Sequence, residues 1–395
     1  MRRLAFSAVL LLLAVSIAPA AEPITIGERV TIRSDVLDET RTVLVSTPPG
    51  YEQSGQGYPV LYMTDGDAHL THTRGTADFL VQNGLMPPVI IVGVTNTDRT
   101  RDLSPTNASL VGRDGTPREF PTSGGASHFL DFFEKELFPY VESHYRTQPF
   151  RLLAGHSFGG LFALNALFTR PAMFEAVIAV GPSLRWDDDL PLRQARSFFD
   201  DRDELNATLF VAMANEEAGD PAPTRLDQLE QILQHSSVKG LEWQVRRMPD
   251  ETHGSAVLRA HYWGLRRVFR PWLLPADPET GAFSGSLDDL KAHYEGLSKR
   301  YGFAATPPEN TVNQIGYQFL TAGDTDGAIA TFRYNVELYP DSANVHDSLG
   351  EALEEAGRLP EAFSSYVRAV ENATTLGDPR LDIFVTNRDR VKEQL

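Results

Sequence analysis

Gly155-His156-Ser157-Phe158-Gly159 has the spacing G-x-S-x-G. A short apolar run, Arg151–Ala154, precedes it, and the run LFALNALF follows it. Strand, sharp turn and buried helix together hold a serine hydroxyl above a sheet edge, at a helix N-terminus, where it can attack a carbonyl. Gly155 and Gly159 suit such a turn because a side chain there would strike the neighbouring strand or helix. The bland use of the same residues is a glycine-rich turn whose serine only caps the helix.

A nucleophilic serine needs a base. Among ten histidines, only His253 follows the last expected strand in a loop, beside the small residues Gly254 and Ser255. Its neutral imidazole would take the Ser157 proton and return it to the leaving group. His156 is expected to point away from the reaction. His69 and His72 have a metal-like spacing without an evident third ligand, and are read as structural or surface residues. The chain order serine, acid, histidine places the orienting acid after the strand Thr208–Ala214. Glu217 is the first candidate there and Glu216 the second; Asp250 and Glu251 are substitutes near His253. For an oxyanion hole, one N–H should come from Phe158 and the other from the backbone around Gly66 and Asp67. This chemistry calls for no metal and no organic cofactor.

These residues have to be held by strands. Ile24–Arg33 and Arg41–Thr47 alternate like an antiparallel edge pair, while Pro59–Met63, Val89–Val94 and Ala176–Val180 are dense apolar runs. Thr208–Ala214 and Glu242–Met248 complete the set. Helical patterns at 69–83, 127–145, 224–235 and 256–269 alternate with them, so the fold class is α/β with a mostly parallel central sheet. Ligands of such sheets bind beyond the carboxyl ends of the strands. Arg99 and Arg101, after Val89–Val94, and Arg185 and Trp186, after Ala176–Val180, are therefore expected to rim the pocket. Such residues suit an anionic aromatic acyl group. Arg99 and Arg101 have a bland use too, pairing with Asp98 and Asp102 to hold the long polar loop Asn96–Pro121.

The formal net charge is −17, which argues against nucleic acid as a partner. The absence of cysteine excludes thiol catalysis and disulfides. Arg2 and Arg3, the apolar run Leu4–Ile17 and Ala18-Pro19-Ala20 read as a cleaved signal peptide over residues 1–20, hence a periplasmic or secreted protein without a stable membrane span. The main domain is expected over 21–275, then a linker with a bridging helix over 276–308. Within 309–395, Gly316, Gly323, Ala328 and Phe332 recur as Gly350, Gly357, Ala362 and Tyr366, each 34 residues on. That is the tetratricopeptide period, read as two repeats and a capping helix, an all-α unit for protein partners or self-association, or a stabilising appendage.

The motifs Pro59–Asp67, Ile91–Asp102, Gly155–Gly160 and Glu251–Ser255 resemble the esterase D-like family of α/β-hydrolases, over about residues 24–275. The resemblance implies an α/β-hydrolase fold, a carboxylic-ester substrate, Ser157 as nucleophile and His253 as base. Export and the lack of cysteine look more like the periplasmic siderophore-esterase branch, which opens catecholate trilactones, than the cytosolic formylglutathione branch. The expected function is a serine esterase acting through an acyl-enzyme on a small-molecule ester. A feruloyl, carbohydrate or general acyl ester is the alternative substrate; an acyltransferase and a non-catalytic scaffold are the alternative functions.

Overall fold

The computed structural model describes residues 23–111, 116–215 and 224–395. The expected signal segment and both acid candidates, Glu216 and Glu217, lie outside the described residues. At the centre is an eight-stranded sheet. Its strands are β1 (Glu28–Ser34), β2 (Glu39–Ser46), β3 (Tyr58–Met63), β4 (Ile90–Val94), β5 (Thr147–His156), β6 (Ala176–Val180), β7 (Glu204–Ala214) and β8 (Lys239–Met248). They lie side by side as β1-β2-β4-β3-β5-β6-β7-β8. β2 runs antiparallel to β1 and β4, and all other neighbours are parallel. This is the α/β-hydrolase arrangement expected from the strand–helix alternation. The direction of winding reverses between β3 and β5, which opens a crevice beyond their carboxyl ends. β3 leads into Gly66 and β5 into Ser157, so the reversal brings the two together.

Helices cover both faces: α1 (Gly66–Gln82), α2 (Phe158–Thr169), α3 (Trp186–Asp200), α4 (Arg225–His235), α5 (Ala256–Val268) and α6 (Leu287–Tyr301). β3, β4 and β6 are buried along their whole length, which explains their unbroken apolar runs. One face packs Tyr62, Phe129, Phe133 and Phe162 into an aromatic layer. The other is covered by α1, α5 and α6. α3 has no counterpart among the expected helices. It opens with Asp187, Asp188 and Asp189 at φ of 46°, 50° and 60° and contains Pro191, so its sequence resembles a turn.

α6 is part of the sheet domain's core. The Tyr301 ring lies 5.1 Å from Phe150, at the start of the elbow strand, and 5.6 Å from Phe269. Its hydroxyl donates to the Val268 carbonyl at 3.1 Å. Five further helices follow: α7 (Glu309–Thr321), α8 (Thr325–Leu338), α9 (Ala343–Glu355), α10 (Leu359–Leu376) and α11 (Leu381–Lys392). Val312 and Ile315 of α7 join the same buried cluster as Phe150 and Trp272. The 34-residue offset has a packing cause. A Cβ on Gly316 would lie 2.5 Å from the Phe332 ring, and one on Gly350 would lie 2.7 Å from the Tyr366 ring.

Candidate active site

Ser157 sits between β5 and α2 with φ 61° and ψ −113°, a conformation that costs a non-glycine residue about 1–3 kcal/mol. Its surroundings impose it. The Ser157 N–H donates to Val180 of β6 at 2.8 Å, and the Ser157 carbonyl accepts from Leu161 at 2.9 Å and Ser183 at 3.3 Å. A Cβ on Gly155 would lie 2.1 Å from the Gly159 carbonyl oxygen, and one on Gly159 would lie 2.2 Å from Thr64 Oγ1. Both glycines are therefore required by close approach, and the turn has no room to relax.

The second helix N-terminus comes from β3. α1 begins at Gly66, one turn earlier than its apolar pattern suggests, because Asp65 takes a left-handed conformation at φ 55° and turns the chain at once. Among the described residues, no bonded acceptor faces the N–H groups of Gly66, Asp67 or Phe158. Two helix N-termini with free N–H groups thus stand at adjacent strand ends, a setting that favours negative charge.

Asp65 and Arg99 fasten these two ends together. Arg99 Nε donates to Asp65 Oδ1 at 2.6 Å, and its Nη2 to Oδ2 at 3.1 Å. The same Nη2 donates to the carbonyl of His156, the residue before the nucleophile, at 2.9 Å. Asn96 adds a bond to Asp65 Oδ1 at 2.7 Å. Burial alone would raise the Asp65 carboxyl, but the Arg99 and Asn96 bonds hold it below its ordinary value. The role of Asp65 escaped the sequence reading; its place between strand β3 and Gly66 was the available signal.

His253 lies in the loop after β8, half-buried against the elbow. His156 Nε2 donates to the His253 carbonyl at 2.9 Å, and the two rings are 4.5 Å apart. The first residue after β7, Asn215, donates its N–H to the Glu251 carbonyl at 3.2 Å. The chain leading into Glu216 and Glu217 is therefore tied to the loop that carries His253. Of the substitutes, Glu251 is engaged by Ser255 at 2.6 Å and Arg259 at 2.7 Å, and Asp250 is exposed in a turn.

Residues 34–247, more than half of the chain, match the family described as "Putative esterase". The chain belongs to this esterase family. Ferri-bacillibactin esterase BesA of Bacillus subtilis is 32% identical over 185 residues, which cover 43% of this chain and 61% of that protein. The siderophore triacetylfusarinine C esterase of Aspergillus fumigatus is 33% identical over 197 residues, covering 46% and 63%. The aligned stretch thus spans less than two thirds of either relative. The solved structure of an IroE-like serine hydrolase from Shewanella oneidensis is 30% identical with a TM-score of 0.66, covering 79% of this chain and 99% of that one.

The remaining expected site residues of this family member divide in two. Arg101 is committed to structure: it pairs with Glu39 at 2.6 Å and Asp102 at 2.7 Å, and Arg41, fully buried, pairs with Asp102 at 2.6 Å. This cluster seats the 96–121 loop on β2, with Glu39 taking the place expected of Asp98. Arg99 is likewise engaged, by Asp65. Trp186 was expected at the rim, but its ring is 0% exposed. It packs 5.3 Å from Phe158 and 5.4 Å from Phe120, and its Nε1 donates to Thr106 at 3.0 Å. Apolar contact with the helix and the overlying loop outweighs exposure for a ring of this size. Arg185 stays half-exposed and forms no ion pair among the described residues. His69 and His72 lie beside the site, with Nδ1 of one 3.1 Å from Nε2 of the other, and no metal-holding group occurs among the described residues.

Proposed function

We propose that this protein is a serine carboxylic-ester hydrolase, with Ser157 as nucleophile, His253 as base and Glu217 as the orienting acid. The observation that carries this is the strained Ser157 elbow set beside two helix N-termini whose leading N–H groups meet no acceptor among the described residues. Ser157 Oγ attacks the ester carbonyl while His253 accepts its proton. The oxyanion is met by the N–H of Phe158 and by that of Gly66 or Asp67. Collapse expels the alcohol, which takes the proton from His253; water then attacks the acyl-enzyme while His253 accepts its proton, and the bond to Ser157 Oγ breaks as that oxygen regains the proton and the acid leaves. Glu217 is supported by the tie between Asn215 and the Glu251 carbonyl, with Glu216 second.

The substrate class is a siderophore ester, supported by the names of the relatives, and an anionic aromatic acyl group is the form that an arginine beyond the strand ends would suit. Of the three arginines expected at the rim, Arg185 is the one without an ion pair among the described residues, since Arg99 and Arg101 are engaged. Residues 1–20 act as an export signal that directs the protein to the periplasm or outside. α7–α10 are two tetratricopeptide repeats with α11 as a cap, supported by the repeated glycine–aromatic contact.

The test is hydrolysis of a p-nitrophenyl ester and of a catecholate trilactone, with and without iron, by the protein and by Ser157→Ala. Fast trilactone opening that Ser157→Ala abolishes is expected. Turnover of both esters that survives Ser157→Ala would overturn the assignment of the nucleophile. Generic turnover without trilactone opening would leave a serine esterase with another acyl substrate.

A further inference from the structure

Five of the ten histidines meet beside the nucleophile. His253 and His156 rings are 4.5 Å apart, His156 and His69 5.7 Å, His69 and His72 5.2 Å, and His72 and His261 5.4 Å. They come from the end of β5, the loop after β8, and helices α1 and α5. His261 is fully buried and bonded through Nδ1 to Thr73 Oγ1 at 2.8 Å. Within this chain of rings, one contact touches the chemistry. A carbonyl only accepts, so the 2.9 Å contact between His156 Nε2 and the His253 carbonyl fixes the proton of His156 on Nε2. The His156 ring packs against those of His253 and His69, and its own carbonyl is bonded to Arg99.

We propose that His156 is a positioning residue: its Nε2–H fixes the backbone of His253 and so aims the catalytic imidazole at Ser157. This rests on the Ser157–His253 chemistry proposed above. The groups facing His156 are His253, His69, Asp65 and Arg99, and they set its charge. Burial, with the neighbouring His253 and His69, pushes the His156 ring down to about 4, so it stays neutral through the working range. A neutral ring keeps one defined donor and places no positive charge beside the base. The loop bearing His253 is also tied to the end of β7, where Asn215 N–H donates to the Glu251 carbonyl at 3.2 Å, but that bond lies two residues before His253, whereas His156 holds the His253 carbonyl itself. The side-chain contacts of its neighbours, Glu251 to Arg259 and Thr252 to Ser255, stay within the loop and the helix that follows it.

The test is a double-mutant cycle between His156→Leu and His253→Ala, using single-turnover acylation by a p-nitrophenyl ester. Leucine fills the ring's volume without the donor, and His156→Gln restores an N–H at nearly the position of Nε2. Expected for His156→Leu is a roughly 10- to 100-fold slower acylation with KM within about twofold, full active-site titration by a fluorophosphonate, and recovery of most of the rate in His156→Gln. In the His253→Ala background, His156→Leu should change the rate by less than about twofold, because it acts through His253. Equal losses in both backgrounds, or no rescue by glutamine, would overturn the positioning role. Full acylation by His253→Ala itself would instead sink the base assignment, which separates the two failures.

Discussion

Removing Arg99 separates two uses of an arginine near a mouth. In the structure its guanidinium makes two bonds to Asp65 and one to the His156 carbonyl, at 2.6, 3.1 and 2.9 Å. The Asp65 side chain is 8% exposed and that of Arg99 33% exposed. Breaking a fully buried pair costs about 3–5 kcal/mol, and the partial exposure of Arg99 lowers this to about 2–4 kcal/mol for Arg99→Met. The sign with pH follows from Asp65. Its folded carboxyl titrates below the ordinary value, so the pair contributes stability above about pH 4 and loses it as pH falls through the folded value. The deficit of Arg99→Met should therefore be largest near neutrality and shrink as the pH falls through the lowered value of the Asp65 carboxyl. Urea unfolding at pH 7 and in acid measures it. Because Asp65 turns the chain into Gly66, kcat should fall by at least about tenfold while KM moves little. Unchanged stability, with a KM rise confined to anionic esters, would show that Arg99 binds substrate and does not clamp the site.

Gly155→Ala should fail to fold or lose several kcal/mol, since its Cβ would lie 2.1 Å from the Gly159 carbonyl oxygen; soluble, active protein would refute the close packing of the elbow. Ending the chain at residue 286 removes α6 and uncovers Phe150, Phe269 and Trp272, so the fragment should be insoluble or far less stable, whereas a fully active fragment would show that α6 is dispensable. Arg185→Ala should raise KM for catecholate esters about tenfold and leave neutral acetyl esters unchanged; an equal effect on both would remove Arg185 from substrate recognition. The histidine cluster makes the fold sensitive to acid: His156 is pushed from an ordinary 6.5 to about 4, and His69, His72 and His261 are all lowered, mainly by burial. The unfolded chain therefore binds more protons below pH 6.5, and stability should drop as pH falls from about 6.5 to 4, by up to about 3 kcal/mol from His156 alone. A melting temperature flat over that window would contradict the burial of these rings.

How much was legible depended on whether backbone or side-chain partners carried the information. The elbow was legible because its constraint is steric: Gly155, Ser157 and Gly159 are the residues a tight strand–helix turn admits, and the flanking apolar runs fix the strand and the helix. The strand set was legible for the same reason, and Ala176–Val180 agrees with β6 residue for residue. α3 was not, because three aspartates in left-handed conformations and a proline begin a helix that no periodicity announces. Arginine partners were not legible either. Arg99, Arg101 and Arg185 follow the carboxyl ends of the same kind of strand, and nothing in their spacing tells which one meets a carboxylate. The structure decides it through residues distant in sequence, Asp65 for Arg99 and Glu39 for Arg101, so that of these three Arg185 is the one that forms no ion pair among the described residues.

The histidines extend that argument. His156 occupies the variable position of G-x-S-x-G, where sequence spacing sets no requirement, and it was expected only to point away. Its ring meets those of His253 and His69, and the packing of α1 and α5 brings His69, His72 and His261 to one place beside the elbow. Neutral rings pack there like other aromatic side chains and also keep donors and acceptors for Thr73 and for the His253 carbonyl. A leucine in the same place would match the packing and lack the bond. The variable position thus acts on a loop 97 residues away along the chain, and the fold makes that connection by setting the end of β5 against the loop that leaves β8.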